Sequence, residues 1–412
     1  MNNTVLYLLS TLFQRGLPFI LMPIYTHIMP INDFGFYGTY LAILGIVSIV
    51  IGLRPDTYLI KQFNDISSIA FNHVVLSCVI LIPISTLTLF PIIIVFIKLT
   101  IPGNLDGVFF IAAIAISSSI ISALKLINET LLQIEEKVYQ YSFFQVLHSI
   151  LVAAFSVFFL TQVENTWKSR AFSELLVSVF LVFFQWHILS KYLKLIDYNR
   201  LKDNIYSSVC FLTPLVFHSL AFVLINIGDR LVIQHFLGSE SVAKYTVGYT
   251  FGMIVGVCNE ALLKAWSPYF YSKVKASNPN EELSVFCFMK KSVVPLLLLG
   301  MIIGTIGSYI YPMILPKAYE ELGFIIFIVS MAYSFEGMRK LFSGYLFLTN
   351  KTKLISMVSI LTFLINMIMN FIFIPRFGIN GAAISTFGSF LFMSLLTVYL
   401  SIDSRRKFLA GC

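Results

Sequence analysis

Asp229 and Arg230 stand side by side inside the apolar run that opens residues 220–270, LAFVLINIGDRLVIQHFLGSESVAKYTVGYTFGMIVGVCNEALLKAWSPYF. The chain then turns over a short polar link, residues 238–244, and enters a second apolar run that carries Glu260. Runs of this length read as membrane-crossing helices joined by a hairpin. An ionisable group in hydrocarbon is costly, so each of these residues needs a partner, a wet cavity or a place near the headgroups. The stretch therefore makes the chain an integral membrane protein, and composition agrees. Of 412 residues 58% are hydrophobic and 12% charged, whereas a soluble domain has about a quarter of its residues charged.

Apolar windows of spanning length occur twelve times, at 5–28, 36–53, 73–97, 108–126, 141–160 and 172–189, then at 205–233, 246–263, 293–314, 322–348, 355–374 and 382–401. An even count puts both termini on one side. Of the 28 lysines and arginines, 20 fall in the links after even-numbered windows and in the tail, Arg54, Lys125, Lys264, Lys290, Lys291, Arg339 and Lys340 among them. The opposite face holds 6: Lys98, Lys168, Arg170, Lys244, Lys317 and Arg376. This bias places both termini in the cytoplasm and explains the net charge of +8 without a nucleic-acid partner. The first ten residues lack the basic region of a secretory signal and run on as a first span.

The links are too short to hold a domain. The longest, residues 267–291, reads as a surface segment around SNPNEE. The chain has no GxxxxGK stretch, so direct use of ATP is not expected. The five cysteines have no metal-ligand spacing, and most are expected as buried thiols. The histidines are isolated and no catalytic constellation emerges; no cofactor and no enzyme are expected.

Six windows plus six, each set starting on the same side, suggest a parallel repeat about an axis along the membrane normal. In both halves a span meets a small polar and acidic link (IND, GSES) before aromatic residues and a glycine-containing span. The expected lobes are residues 1–203 and 204–412. Gly248, Gly252 and Gly256 form a period-four face, read either as close helix packing or as a bendable cavity-lining helix.

Seven residues are candidates for substrate binding or gating: Arg15, Arg54, Asp229, Arg230, Glu260, Lys264 and Arg339. Arg15 lies about ten residues into the first window, where it either snorkels to the interface or offers its guanidinium to a phosphate. Asp229 and Arg230 are adjacent and point in different helical directions, so each should seek its main partner elsewhere. Their roles are a structural clamp or a gate between lobes, and Asn226 one turn earlier extends that polar face. Glu260 and Lys264 have the i,i+4 spacing of a helical salt bridge. Arg54, Arg339 and Lys340 occupy cytoplasmic mouths, where they hold topology or meet a lipid phosphate. Asn366 and Asn370 lie one turn apart, suited to helix contact or to ligand contact.

The segments INIGDRLVIQHFLGSESVAKYTVGYTFGMI and ALLKAWSPYF, the opening LPFILMPIYTHIMPINDFGFYGTYLA and the late NFIFIPRFGINGAAISTFGS carry a resemblance. Asp229, Arg230, Gly238, Val242, Tyr245, Trp266 and Pro268, with Asn370, Pro375, Gly378 and Gly381, match the pattern of bacterial O-antigen and capsule repeat-unit flippases. These form the polysaccharide transporter branch of the multidrug/oligosaccharidyl-lipid/polysaccharide exporter superfamily. The resemblance implies an all-α polytopic fold of twelve transmembrane helices, in two six-helix lobes around a V-shaped central cavity. It also implies a monomer in the bacterial inner membrane that turns undecaprenyl-pyrophosphate-linked oligosaccharide from the cytoplasmic to the periplasmic leaflet by alternating access. Membrane lipids, a polysaccharide polymerase and glycosyltransferases are the expected contacts. Coupling to a proton or sodium gradient stays open, with Asp229 and Glu260 as candidate acids. The rival reading is a cation-coupled small-molecule exporter of the same superfamily, for which an acid-rich cavity would speak.

Overall fold

A computed structural model describes residues 3–65, 68–101, 105–193, 198–275, 279–349 and 351–410. The described chain is helical: α1 (Asn3–Ile28), α2 (Ile31–Gly52), α3 (Pro55–Asp65), α4 (Ser68–Thr100), α5 (Leu105–Ile134), α6 (Val138–Gln162), α7 (Trp167–Phe184), α8 (Trp186–Ser190), α9 (Tyr198–Leu237), α10 (Ser239–Lys275), α11 (Pro279–Ile314), a 3₁₀ turn at Lys317–Tyr319, α12 (Gly323–Phe342), α13 (Gly344–Leu348) and α14 (Thr352–Ala410). Hydrocarbon offers no partner for backbone N–H and C=O groups, so apolar runs this long satisfy them within helices. Among the described residues, 8 helices are long and apolar enough to cross a membrane. The last covers residues 353–409 and contains both of the final expected windows. It is broken at Gly378 (φ 60°, ψ −145°), a backbone state that a side chain would strain. The helices that fall outside this set include α7 and α12, each of which carries three charged residues.

Two expectations fail here. The link at 267–291 is not a loop: α10 runs on to Lys275 and α11 starts at Pro279, because polar residues continue a helix as readily as they end one. The thiols are not mostly buried either. Of the described cysteines only Cys78 is buried, while Cys210 and Cys287 are exposed on helices.

The chain divides into two compact units, Met1–Val223 and Leu224–Cys412, so the dividing point lies inside α9. The leading part of α9 is tied to the first unit. Ser208 Oγ meets Ser77 Oγ at 3.1 Å, and the Phe211 ring takes both Tyr58 (centroids 5.2 Å) and the Lys61 ammonium (4.6 Å).

In the first unit α2 packs along α5, with a Cβ on Gly52 only 3.3 Å from that of Ala123. Hydroxyl pairs bridge the helices, Tyr40–Ser118 and Ser48–Ser119 at 3.1 Å and Ser156–Ser173 at 2.9 Å. Such bonds hold helices together where lipid supplies no hydrophobic drive. Beyond the helix ends, Tyr192 donates to Glu135 Oε1 at 2.6 Å, and the Lys137 ammonium binds the same carboxylate. Partial burial pushes the Glu135 carboxyl up, but these two donors outweigh it and hold it below the usual range.

In the second unit α12 lies among α10, α11 and α14. The face formed by Gly248, Gly252 and Gly256 is a packing face: a Cβ on these residues would come within 2.9 Å of Ile325, 2.7 Å of Val329 and 2.7 Å of Tyr333. A second stripe on α11, Gly300, Gly304 and Gly307, meets the other side of α12 at Ser334, Ser330 and Ile326. Each unit exposes large apolar side chains, Leu87 and Phe183 in the first and Met313 in the second, as contact with lipid requires.

Gly252→Leu should therefore lower the thermal unfolding temperature in detergent far more than Gly16→Leu, whose Cβ would meet nothing within 4 Å. A Glu135 carboxyl held low adds stability above the ordinary carboxylate range and loses it as pH falls through the folded value. Tyr192→Phe should destabilise by about 1 kcal/mol at neutral pH, and the difference from wild type should shrink in a titration to acid.

Candidate functional site

The second unit buries the Asp229–Arg230 ion pair. Asp229 is 0% and Arg230 7% exposed on α9. Contrary to the expectation that adjacent residues would look elsewhere, they bond to each other, with Arg230 Nη1 3.0 Å from Asp229 Oδ1. The long guanidinium folds back across the turn, and the Arg230 backbone N–H also donates to Asp229 Oδ1 at 2.9 Å. Partners on other helices are present as well. The Tyr245 hydroxyl of α10 donates to Asp229 Oδ2 and lies 3.3 Å from Thr386 Oγ1 of α14. The guanidinium lies 4.6 Å from the Tyr249 ring and 5.7 Å from the Tyr245 ring, and Nη1 donates to the Asn226 carbonyl at 3.0 Å. Rings and carboxylate replace the water that the cation has lost.

The polar chain goes on in two directions. Tyr249 and Tyr333 share a hydroxyl contact of 2.9 Å, and Asn259 Nδ2 donates to the Tyr333 carbonyl at 2.8 Å. On α14, Asn370 donates to Asn366 Oδ1 (3.0 Å), Asn366 to Ser389 Oγ (3.1 Å) and Ser389 to the Thr386 carbonyl (2.9 Å). The two asparagines make a helix contact.

The first unit repeats this chemistry with different residues. Arg170 belonged to a link in the sequence reading, yet it sits in the first turn of α7 with its side chain 12% exposed. Its guanidinium lies 4.9 Å from the Tyr25 ring and 5.1 Å from the Tyr37 ring, and Glu174 Oε2 is 3.6 Å away. Tyr37 donates to that same Glu174 oxygen at 3.0 Å. Tyr37 and Tyr245 occupy matching places after the polar link in the two halves. Each unit thus holds an arginine against two tyrosine rings, buried at Arg230 and partly buried at Arg170, with a carboxylate that also takes a tyrosine hydroxyl.

A third cluster joins α10 and α12. Glu336, missed by the sequence reading, is 5% exposed and accepts Lys340 at 2.8 Å and Arg339 at 3.2 Å. Lys340 also lies 3.9 Å from Glu260. The expected Glu260–Lys264 pair rests on a Lys264 side chain outside the described ones. Similarly, Lys125 lies within α5 rather than in a link, 3.8 Å from Glu129. Arg54 is exposed in a left-handed turn (φ 59°) between α2 and α3 and binds Asp56 at 3.0 Å. Arg15 is exposed on α1.

The family profile of polysaccharide biosynthesis proteins matches residues 1–274. The chain belongs to this family. Two proteins of Haemophilus influenzae (strain ATCC 51907 / DSM 11121 / KW20 / Rd) are similar: Lsg locus putative protein 1, 24% identical over 381 residues and covering 88% of each chain, and an uncharacterized membrane protein, 22% identical over 392 residues and covering 92% of this chain and 94% of its own. In fold, the chain resembles lipid II flippase MurJ in its inward closed conformation, with a TM-score of 0.76 at 14% identity over 98% of this chain and 90% of that one. An inward-facing multidrug resistance MATE family transporter of the MOP superfamily gives 0.62 at 13% identity over 96% of each. The family member described here is thus a polytopic helical membrane protein of the transporter fold.

The two arginine sites differ in depth, since Glu174 is 34% exposed against 0% for Asp229. Asp229→Asn, which strands a buried cation, should cost about 3–5 kcal/mol. Glu174→Gln should cost about 1 kcal/mol or less. Unfolding of the two variants in detergent, followed by tyrosine and tryptophan fluorescence, checks the order.

Proposed function

We propose that this family member moves undecaprenyl-pyrophosphate-linked oligosaccharide from the cytoplasmic to the periplasmic leaflet of the bacterial inner membrane. Membership of the polysaccharide biosynthesis family over residues 1–274 carries the reading. The likeness of fold to a lipid II flippase over 98% of the chain supports it. Sugars and pyrophosphate are too polar for hydrocarbon and need a hydrated, cationic route, while the isoprenoid stays in lipid. On this reading twelve spans form two lobes, residues 1–203 and 204–412, around a V-shaped cavity, and the monomer works by alternating access with both termini in the cytoplasm. Contacts with a polymerase or a glycosyltransferase belong to the same proposal.

Burial divides the candidate residues. Arg230 holds its charge in a buried cage and Arg170 is paired with the partly exposed Glu174, so both serve as supports. Arg15 on α1 and Arg54 at the α2–α3 turn are exposed and suit the pyrophosphate. Asp229, with its links to Thr386, is the place where a proton or sodium gradient would act in the second unit. The second reading is a cation-coupled small-molecule exporter, which the MATE likeness supports at the level of fold. Its acids would have to come from carboxylates already bound, since Asp229, Glu336 and Glu260 all have basic partners.

Depletion of the protein in its own cell should leave lipid-linked repeat units on the cytoplasmic leaflet and reduce surface polysaccharide. Complementation with Arg15→Ala at equal protein level should restore less polysaccharide than wild type. Unchanged polysaccharide together with new sensitivity to amphipathic cations would favour the exporter.

A further inference from the structure

A pocket of about 490 Å³ opens in the second unit between α10, α11 and α12. Asn259, Leu262 and Trp266 of α10, Phe288 and Ser292 of α11, and Gly337 of α12 contribute to its wall. All of them belong to one unit, and the volume falls within the range of small-ligand sites. Trp266 stacks on Phe288, with centroids 5.1 Å apart and planes at 18°, so aromatic rings form part of the wall.

The polar groups of the wall decide what fits. Asn259 is 1% exposed. Its Nδ2 donates to the Tyr333 carbonyl at 2.8 Å, while its Oδ1 meets no hydrogen-bond donor among the described residues. Turning the amide to find one would give up the bond to Tyr333. The amide also rests on Gly337, where an added Cβ would stand 2.5 Å from Nδ2 and 2.9 Å from Oδ1. A buried acceptor left empty is costly, so this oxygen calls for a donor. Ser292 spends its hydroxyl hydrogen on the Phe288 carbonyl at 2.9 Å and keeps only lone pairs to offer. Charge beside the pocket is already matched. Glu336 takes Lys340 at 2.8 Å and Arg339 at 3.2 Å, and Lys340 also lies 3.9 Å from Glu260. Lys290 Nζ rests 4.6 Å from the ring of Phe286, which is not part of the wall.

We propose that this pocket binds a neutral small molecule with a flat apolar body and one hydroxyl or N–H donor, the body against Trp266 and Phe288 and the donor on Asn259 Oδ1. The inference concerns the second unit alone and does not depend on which cargo the protein moves. An unfilled acceptor beside aromatic rings matches a donor carried on an aromatic frame. An anion would face the lone pairs of Asn259 and Ser292, and a cation would bring an unpaired charge into a largely apolar wall. Because the wall comes from three helices, the bound molecule joins α10, α11 and α12.

Two probes of nearly equal shape test this: para-phenylphenol, which carries the donor, and its methyl ether, which lacks it. Binding of labelled probe to the purified full chain is read by equilibrium dialysis against protein-free micelles of the same detergent, which removes partition into the micelle. Wild type should bind the phenol about fivefold or more tighter than the ether. Asn259→Leu should bring that ratio to one by weakening the phenol, an effect that a general loosening of the unit would not produce. Ser292→Phe, which fills the pocket and leaves Asn259 in place, should weaken both probes and decides the matter if the Asn259 variant does not fold. Equal binding of the two probes by wild type, absence of binding, or phenol binding that Ser292→Phe leaves unchanged would overturn the proposal. So would tighter binding of para-phenylbenzylammonium or para-phenylbenzoate than of the phenol, which would make the pocket a site for an ion.

Discussion

A guanidinium inside a membrane-spanning bundle cannot shed its proton, so the fold has to build a substitute for water around it. Both units do so in the same way. A carboxylate pairs with the cation, two tyrosine rings lie against it, and a tyrosine hydroxyl donates to the same carboxylate. The consequence is rigidity. Asp229 ties α9 to α10, and Tyr245 continues the link to Thr386 on α14. In the first unit Arg170 ties α7 to α1 and α2 through Tyr25 and Tyr37. Each arginine thereby fastens neighbouring helices within its own unit.

The close packing of the second unit supports the same view. Two glycine stripes, on α10 and α11, let α12 approach both helices at distances where a Cβ would collide. With no hydrophobic drive between helices in lipid, such approach and the hydroxyl and amide links supply the adhesion. The polar residues of the spans are thereby turned inward and leave apolar side chains for the lipid.

Much of this was readable in the sequence, where a feature depends on local pattern. The Asp229–Arg230 pair stood out because charge in an apolar run demands explanation, and the glycine face because period four puts small residues on one side of a helix. Arg170 did not stand out, since WKSRAF resembles a basic link and only the start of α7 at Trp167 turns it inward. Glu336 was hidden for a similar reason. It precedes two basic residues at a helix end, a pattern that suits a solvated terminus as well as a buried pair. The mutual bond of Asp229 and Arg230 is not legible from Cβ directions, because a long guanidinium can turn back along its own helix. The helical ends of α10, up to Lys275, and α11, from Pro279, are hard to read because SNPNEE has the composition of a surface link.

The decisive measurement is the movement of cargo between leaflets by the purified protein. Vesicles would carry fluorescent undecaprenyl-pyrophosphate oligosaccharide on the inner leaflet, and an external quencher would follow its appearance outside. A flippase accelerates that appearance over protein-free vesicles and leaves an amphipathic cationic solute in place. No acceleration by folded protein under proton or sodium gradients of either direction, with transport of the cationic solute instead, would contradict the assignment.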